Sequence, residues 1–219
     1  MYQTVFLRNS AFILLFCLLA CADKKEKEKE LPYYNEPSFS PQFLTNKEEI
    51  KQKINHQIAD FSFIDQNGKT FSQKDIEGKI HVANFIFTSC GSICPVMTKH
   101  MKILQQAFRN DPRVVLVSYS VTPWIDNVER LYTYAKLNQI NVKNWHLLTG
   151  NKAAIYTLAR QSYFAEEDLG FTKDSTQFLH TEHVLLVDQN KRIRGIYNGT
   201  LQLESEQLVK DIRLLEKEN

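Results

Sequence analysis

Residues 87–97 read FTSCGSICPVM, with two cysteines, Cys90 and Cys94, separated by three residues and a proline directly after the second. The preceding run IHVANFIFT, residues 80–88, is almost entirely apolar, which predicts a strand buried on both faces. The following run PVMTKHMKILQQAF begins at Pro95 and has the apolar spacing of a helix, with its proline in the first turn, where proline is tolerated. The stretch therefore predicts a buried strand and a helix with the cysteine pair at their junction.

The segments on either side predict the rest of the fold. Before the cysteines, ADFSFIDQNGKTFS alternates between apolar and polar residues around Asn67-Gly68, which predicts a β-hairpin. After them, the patterns predict a strand at 113–121, a helix at 127–138, a strand at 145–149, a helix at 151–164, a hairpin at 183–199 and a helix at 203–218. This order predicts an α/β fold with a central mixed sheet, helices on both faces and an N-terminal β-hairpin. A cysteine pair at the end of the first parallel strand, where a helix opens, is typical of a thioredoxin-like fold.

The first twenty residues are predicted to lie outside the fold. The apolar run AFILLFCLLA, at about ten residues, is too short to span a bilayer stably. It ends at Leu18-Leu19-Ala20-Cys21 and is followed by the charged stretch ADKKEKEKE. This arrangement resembles the signal of bacterial lipoproteins, which implies that residues 1–20 are a signal peptide and that Cys21 carries lipid. The alternative is an uncleaved N-terminal anchor. Both interpretations place the domain outside the cytoplasm, in the bacterial cell envelope and tethered to a membrane.

Residues 21–55 have the composition of a linker. A run of lysines and glutamates is followed by LPYYNEPSFSPQF, which contains three of the six prolines. Charge next to proline favours a solvated chain, so this segment is predicted to be a membrane tether, with the folded domain at 56–219. A formal net charge of +2 and 43% hydrophobic residues suit one globular domain with an appendage, and they argue against nucleic acid as a partner.

The cysteine count indicates a chemical role for the pair. Of the four cysteines, Cys17 lies in the predicted signal and Cys21 follows it, so only Cys90 and Cys94 remain in the domain. A disulfide between residues four apart closes so short a loop that it stabilises a fold little. At a helix N-terminus the sulfurs are favoured as thiolates, which can exchange disulfides or hold a soft metal such as copper(I). Redox thioredoxins usually have two residues between their cysteines, and the third residue here suits metal capture.

The segment before the late strand supplies a candidate nitrogen ligand. Thioredoxin-like redox enzymes resemble one another in a cis-proline that faces the cysteines at this place, but this chain has no proline after Pro123. Residues 179–183 read LHTEH instead, directly before VLLVD. We predict that a histidine of this segment faces the cysteine pair and completes a site of two sulfurs and one nitrogen. His180 and His183 are three residues apart, so in an extended segment they point to opposite faces, and only one of them should reach a metal directly.

Together, FTSCGSICPVM, WHLLTG and FLHTEHVLLVD resemble the Sco (SenC-like) copper chaperones of cytochrome c oxidase assembly, over residues 56–219. The resemblance implies that Cys90, Cys94 and His180 bind a copper ion, as copper(I) or copper(II). By motif position it favours His180 over His183, which is then a strand residue or an outer group. It also implies delivery of the copper to a cytochrome c oxidase subunit or another copper acceptor.

The chain departs from this family in two places. The family often has Pro and Asp after the first cysteine, where this chain has Gly91-Ser92. It often has Val-Asp-Pro after the second buried strand, where this chain has Val121-Thr122-Pro123. Neither departure removes a predicted ligand, but both bear on partner recognition and redox potential.

Two functions use the same cysteines. The leading interpretation is a metallochaperone rather than an enzyme that turns over a substrate. The alternative is a thiol–disulfide reductase, in which Cys90 and Cys94 form a redox-active pair acting on the cysteines of the oxidase copper site or on other exported proteins. Metal capture needs the histidine, whereas dithiol exchange does not. A peroxidase is disfavoured, because peroxiredoxin-like sites place a threonine three residues before the reactive cysteine and Thr88 lies two before Cys90.

The remaining candidate ligands are predicted to have structural roles. Met97 and Met101 have a helical spacing that favours core packing over a thioether ligand. His100 is predicted to be a surface or helix-packing residue. No spacing assigns a site to the other three histidines, His56, His81 and His146.

Overall fold

The structure is a computed structural model that describes residues 30–165 and 181–218. Its strands are β1 (Tyr33–Tyr34), β2 (Pro41–Gln42), β3 (Ser62–Asp65), β4 (Thr70–Ser72), β5 (Ile80–Ile86), β6 (Val114–Ser120), β7 (Trp145–Thr149), β8 (His183–Val187) and β9 (Ile193–Asn198). Its helices are α1 (Lys47–Lys53), α2 (Gln73–Ile76), α3 (Ile93–Ala107), α4 (Val128–Leu137), α5 (Lys152–Thr157), which continues as a π-helix (Leu158–Ser162), and α6 (Gln202–Leu215).

The described strands form one mixed sheet in the order β2-β1-β9-β8-β5-β6-β7-β3-β4. In its centre β5, β6 and β7 run parallel, and β8 pairs antiparallel with β5. All seven residues of β5 and all seven of β6 are buried, as a continuous apolar run predicts for a strand covered on both faces. The sheet thus places the end of β5, where the cysteines follow, next to the end of β6.

Helices cover the sheet on both faces, as predicted. One apolar cluster joins the sheet to α3, α4 and α6 through side chains that include Met101, Leu131 and Ile212. The cluster on the other face includes Ile155 of α5 and Leu158 of the π-helix. Each helix therefore buries one apolar stripe against the sheet, which is the physical reason for the layered architecture.

The predicted elements agree with the observed ones to within a few residues. The hairpin predicted at Asn67-Gly68 is β3–β4, and Gly68 adopts the positive φ of 73° that its turn requires. The helix predicted from Pro95 begins two residues earlier, at Ile93. The helix predicted at 151–164 is confirmed as α5, but its second half is a π-helix.

The predicted tether is wrong for residues 31–55, which belong to the folded domain. Strand β1 pairs with β9 through Tyr34 and Ile193, and α1 begins at the Asn46 cap. Four apolar side chains of this segment are buried, namely Leu31, Tyr33, Ile50 and Ile54. Their burial, together with the guanidinium of Arg194 stacked 3.9 Å from the Tyr33 ring, holds the segment against the sheet. Cys21 and the predicted signal peptide lie outside the described residues.

Candidate functional site

Cys90 and Cys94 lie at the carboxyl end of β5, where the chain turns into α3. The Cys90 backbone N–H donates to the Phe87 carbonyl at 3.1 Å, so a turn follows the strand directly. Gly91 and Ser92 are exposed, and Ser92 is the residue just before the helix, which places Cys94 in the first helical turn. Both thiols are free. The structure therefore brings together the two sulfurs that the sequence predicts to act as a pair.

The two thiols have different environments. Cys90 is partly exposed, whereas Cys94 is 4% exposed. Burial by itself raises the pKa of the Cys90 thiol, but hydrogen bonds from the backbone of residues 92–94 and from the Cys94 side chain outweigh it and lower the pKa. Burial raises the pKa of Cys94 to about 12, and the neighbouring Cys90 adds to the shift. Cys90 is thus the thiolate-forming, accessible sulfur, and Cys94 is a protonated, shielded one.

A buried carboxylate lies behind the cysteines. Asp126 is fully buried and accepts hydrogen bonds from the Thr88 backbone N–H at 3.2 Å and the Thr88 hydroxyl at 2.5 Å. Two further hydroxyls donate to it, from Ser120 at 2.7 Å and Thr122 at 2.9 Å. The Arg130 Nε lies 3.5 Å from Asp126 Oδ1, the oxygen that accepts from the Thr88 hydroxyl. Burial is the main cause of the raised pKa of Cys94, and the charge of Asp126 makes a smaller contribution in the same direction.

Asp126 is the site residue that the sequence analysis missed. It contacts Thr88 across 38 positions of sequence, and no local pattern marks such a contact. The available signal was a carboxylate in the loop after a buried strand, at the edge of the sheet where the cysteines lie. Side chains at that edge meet because β5 and β6 are parallel.

The histidines that the sequence places before β8 are only partly described. His180 lies outside the described residues. His183 opens β8 and alternates with Leu185 and Val187, which lie in the apolar cluster on the face opposite α3. Its ring meets the Phe39 ring edge-on at 5.7 Å. His183 is therefore directed away from the face that carries the cysteine helix.

The start of β8 is tied to α3 through Gly199. The Gly199 N–H donates to the Glu182 carbonyl at 2.8 Å, and its carbonyl contacts the His100 Nδ1 at 2.9 Å. A Cβ at Gly199 would lie 2.7 Å from Val184 Cγ2 and 3.0 Å from Met97 Cε. These contacts fix the segment that leads out of the predicted ligand His180 against the helix that carries Cys94.

The other candidate ligands have packing roles. Met97 and Met101 are fully buried between α3 and the sheet, and His100 is buried in its contact with Gly199. His81 is buried against the Tyr163 hydroxyl at 3.0 Å. His56 stacks on the Phe164 ring, and its Nε2 contacts the Ser162 carbonyl. The ring of His146 packs against the ring of Phe71.

Within residues 30–165 and 181–218, no group of three or more His, Cys, Asp or Glu side chains is placed to hold a metal. No helix in this part of the chain is long and apolar enough to cross a membrane.

A mixed sheet with two free thiols between a central parallel strand and its helix defines a dithiol protein of the thioredoxin-like fold class. The model of one family, SCO1/SenC, matches residues 49–216, and the chain belongs to this family.

Solved structures agree with this assignment. A SCO1/SenC family lipoprotein from Bacillus anthracis is 32% identical, with a TM-score of 0.65 over 74% of this chain and 96% of that one. BsSco, a member of the Sco family of cytochrome c oxidase assembly proteins with a disulfide switch, is 29% identical, with a TM-score of 0.63 over 75% and 95%. ScoI of Arabidopsis thaliana with copper bound is 26% identical, with a TM-score of 0.54 over 71% and 97%. The predicted fold class is thereby confirmed.

Proposed function

We propose that this chain is a membrane-tethered copper metallochaperone that holds one copper ion at Cys90, Cys94 and His180 and delivers it during cytochrome c oxidase assembly. The observation that carries the proposal is the pair of free thiols at the start of α3. The copper-bound relative and the oxidase assembly role stated for BsSco support it.

The sulfur donors suit copper(I) as cargo. Thiolates are soft ligands, and the positive end of the α3 dipole favours their charged form. The first turn of α3 contains no acidic side chain that would oppose that charge. Copper binding has to displace the proton of the shielded Cys94 thiol, because metal ligands bind as thiolates. Copper uptake should therefore release protons.

The assignment of the nitrogen ligand is tested with two histidine variants of the reduced, soluble domain. His180→Ala should weaken copper(II) binding much more than copper(I) binding, because copper(II) is the harder ion and depends more on the imidazole nitrogen. It should also weaken the sulfur-to-copper charge-transfer band. His183→Ala is the matched control and should weaken copper(II) binding much less, since His183 lies on the face of β8 that is directed away from the cysteine helix. A normal copper(II) site in His180→Ala together with its loss in His183→Ala would reverse the assignment.

The second candidate function is thiol–disulfide reduction, and the accessibility and lowered pKa of Cys90 favour it, because they suit an attacking thiol. The accessible Cys90 thiolate would attack a target disulfide, form a mixed disulfide and release one target sulfur as a thiolate. Cys94, once deprotonated, would then attack the Cys90 sulfur and release the second target thiol. The target gains two electrons and this chain keeps a Cys90–Cys94 disulfide, which an exported thiol reductant must reduce again. If both histidine variants exchange disulfides normally and neither changes copper binding, this function replaces copper delivery.

We propose that residues 1–20 are removed and that lipid on Cys21 tethers the domain to a membrane of the bacterial envelope. The short apolar run ending at Ala20-Cys21 supports this, as does the lipoprotein among the structural relatives. Because Leu31 is already buried in the fold, the proposed tether can extend no further than residues 21–30. The intact mass of the mature protein tests the proposal. A mature chain that keeps residues 1–20, or carries no acyl mass, contradicts it.

A further inference from the structure

Asp126 and Arg130 hold the residues that directly precede Cys90. The Thr88 hydroxyl donates to Asp126 at 2.5 Å and accepts from Arg130 Nε at 2.6 Å, so one hydroxyl joins the two charges. Arg130 also donates to the Ser89 hydroxyl at 2.8 Å, and the Thr88 N–H donates to Asp126. We call Thr88, Asp126 and Arg130 the Thr88 clamp. It fixes both the backbone and the side chain of the turn that leaves β5.

The chain on the other side of Cys90 has fewer contacts. Gly91 and Ser92 are exposed, and no atom lies within 4 Å of the position that a Gly91 Cβ would occupy. Ser92 makes no side-chain cap to the helix. Cys94, by contrast, is fixed by burial in the first turn of α3. Apart from the hydrogen bonds that the Cys90 sulfur accepts from residues 92–94, the position of Cys90 therefore depends on how the chain is held on its N-terminal side.

We propose that the Thr88 clamp positions Cys90 relative to Cys94, so that Asp126 controls both copper affinity and the dithiol–disulfide equilibrium. The part of this proposal that concerns copper affinity rests on the proposed function, and the part that concerns the dithiol–disulfide equilibrium does not. Asp126 is a positioning residue, since it acts through Thr88 and contacts neither copper nor a target. Its charge opposes a nearby thiolate, so an effect through charge alone would make its removal strengthen copper(I) binding. Positioning predicts the opposite result.

The test measures copper(I) affinity by competition and the equilibrium of the cysteine pair with glutathione. In Asp126→Asn an amide nitrogen faces hydroxyl and N–H donors, and we expect copper(I) affinity to fall about tenfold. Thr88→Val should reduce copper(I) affinity about threefold, because it removes the hydroxyl that joins Asp126 to Arg130. Thr88→Ser keeps the hydroxyl and should have the copper(I) affinity of the wild type. The dithiol–disulfide equilibrium with glutathione should differ from that of the wild type in Asp126→Asn and Thr88→Val. In Thr88→Ser it should equal that of the wild type.

The matched control is Arg113→Gln. Arg113 forms a surface ion pair with Asp111 and lies before the start of β6, at the sheet edge opposite the cysteines, so both measurements should equal those of the wild type. If Asp126→Asn does not fold, the two Thr88 variants decide. Unchanged affinity and equilibrium in Thr88→Val overturn the clamp, and so does stronger copper(I) binding in Asp126→Asn. If the wild type binds no copper while its variants still shift the glutathione equilibrium, the clamp stands and the proposed copper function fails.

Discussion

The contact between α3 and the start of β8 makes Gly199→Ala an informative substitution. The added Cβ would lie 2.7 Å from Val184 Cγ2, 3.0 Å from Met97 Cε and 3.2 Å from the Glu182 carbonyl oxygen. The Met97 methyl is the end of a flexible chain and can move. Val184 is 2% exposed and stiff, and the Glu182 carbonyl is held by the Gly199 N–H, so neither can yield easily.

The expected loss of stability follows from these contacts. Overpacking of this kind costs about 1–3 kcal/mol, and the reduced entropy of the unfolded chain offsets about 0.4–1 kcal/mol of it. A net loss of about 1–2 kcal/mol lowers the melting temperature of a protein of this size by about 3–6 °C. Because the contact also holds the segment next to His180, copper(II) affinity should fall more than copper(I) affinity, which depends chiefly on the two thiolates.

The assay is thermal unfolding of the reduced domain followed by circular dichroism, with copper titrations of the same samples. Gly91→Ala is the matched control, since Gly91 lies between the cysteines but its Cβ would meet no atom within 4 Å. It should leave the melting temperature unchanged or slightly raised. A Gly199→Ala domain that melts within about 1 °C of the wild type would show that β8 can move from α3 at little cost, and it would refute the reasoning.

Three further predictions concern titration and redox state. In the reduced protein at pH 7, iodoacetamide should modify Cys90 faster than a free cysteine, because its pKa is lowered, and should leave Cys94 unmodified until unfolding, as peptide mapping can show. Mild oxidation should form a reversible Cys90–Cys94 disulfide and abolish copper(I) binding, which thiol counting and copper titration check together; undiminished binding in the oxidised form would contradict it. Burial lowers the pKa of His81 to about 3 from an unfolded value near 6.5, so the unfolded state binds the extra proton as the pH falls and stability drops. Between pH 7 and pH 5 His81 should cost about 2 kcal/mol of unfolding free energy, and urea titrations of His81→Gln should lack this component.

The central sheet could be predicted from sequence because its strands are continuous apolar runs. Strands β5 and β6 are buried throughout, and a strand buried on both faces has a continuous apolar run that can be recognised in the sequence alone. The N-terminal segment has no such pattern. Leu31, Tyr33, Ile50 and Ile54 are single apolar residues among charges and prolines, and their burial depends on a surface that β9 and the rest of the domain provide. Composition alone therefore predicts a tether where the structure has a packed segment.

The cysteine pair was predictable from local sequence, but its surroundings were not. The two cysteines are only four residues apart, at the junction of a strand and a helix that the local patterns predict, so their proximity needs no long-range contact. The difference between Cys90 and Cys94 depends instead on which thiol the fold covers, and the carboxylate of Asp126 reaches Thr88 only through the pairing of β5 with β6. Long-range contacts of this kind leave no mark in a single sequence.

The protonation of the two sulfurs bears on which of the two functions this site performs better. Disulfide exchange needs Cys94 as a thiolate in its second step. Burial, the largest cause of the raised pKa of Cys94, still acts once Cys90 has formed a mixed disulfide, whereas the contribution of the free Cys90 is gone. A mixed disulfide at Cys90 should therefore resolve slowly unless binding of the target changes the surroundings of Cys94. Copper faces no such obstacle, because a bound metal ion deprotonates its thiol ligand outright. The same burial that slows exchange also keeps water and competing oxidants from one of the two proposed sulfur ligands. The geometry thus favours copper capture over rapid disulfide exchange at this pair, and the proposed ligand His180 would then determine the affinity for copper(II).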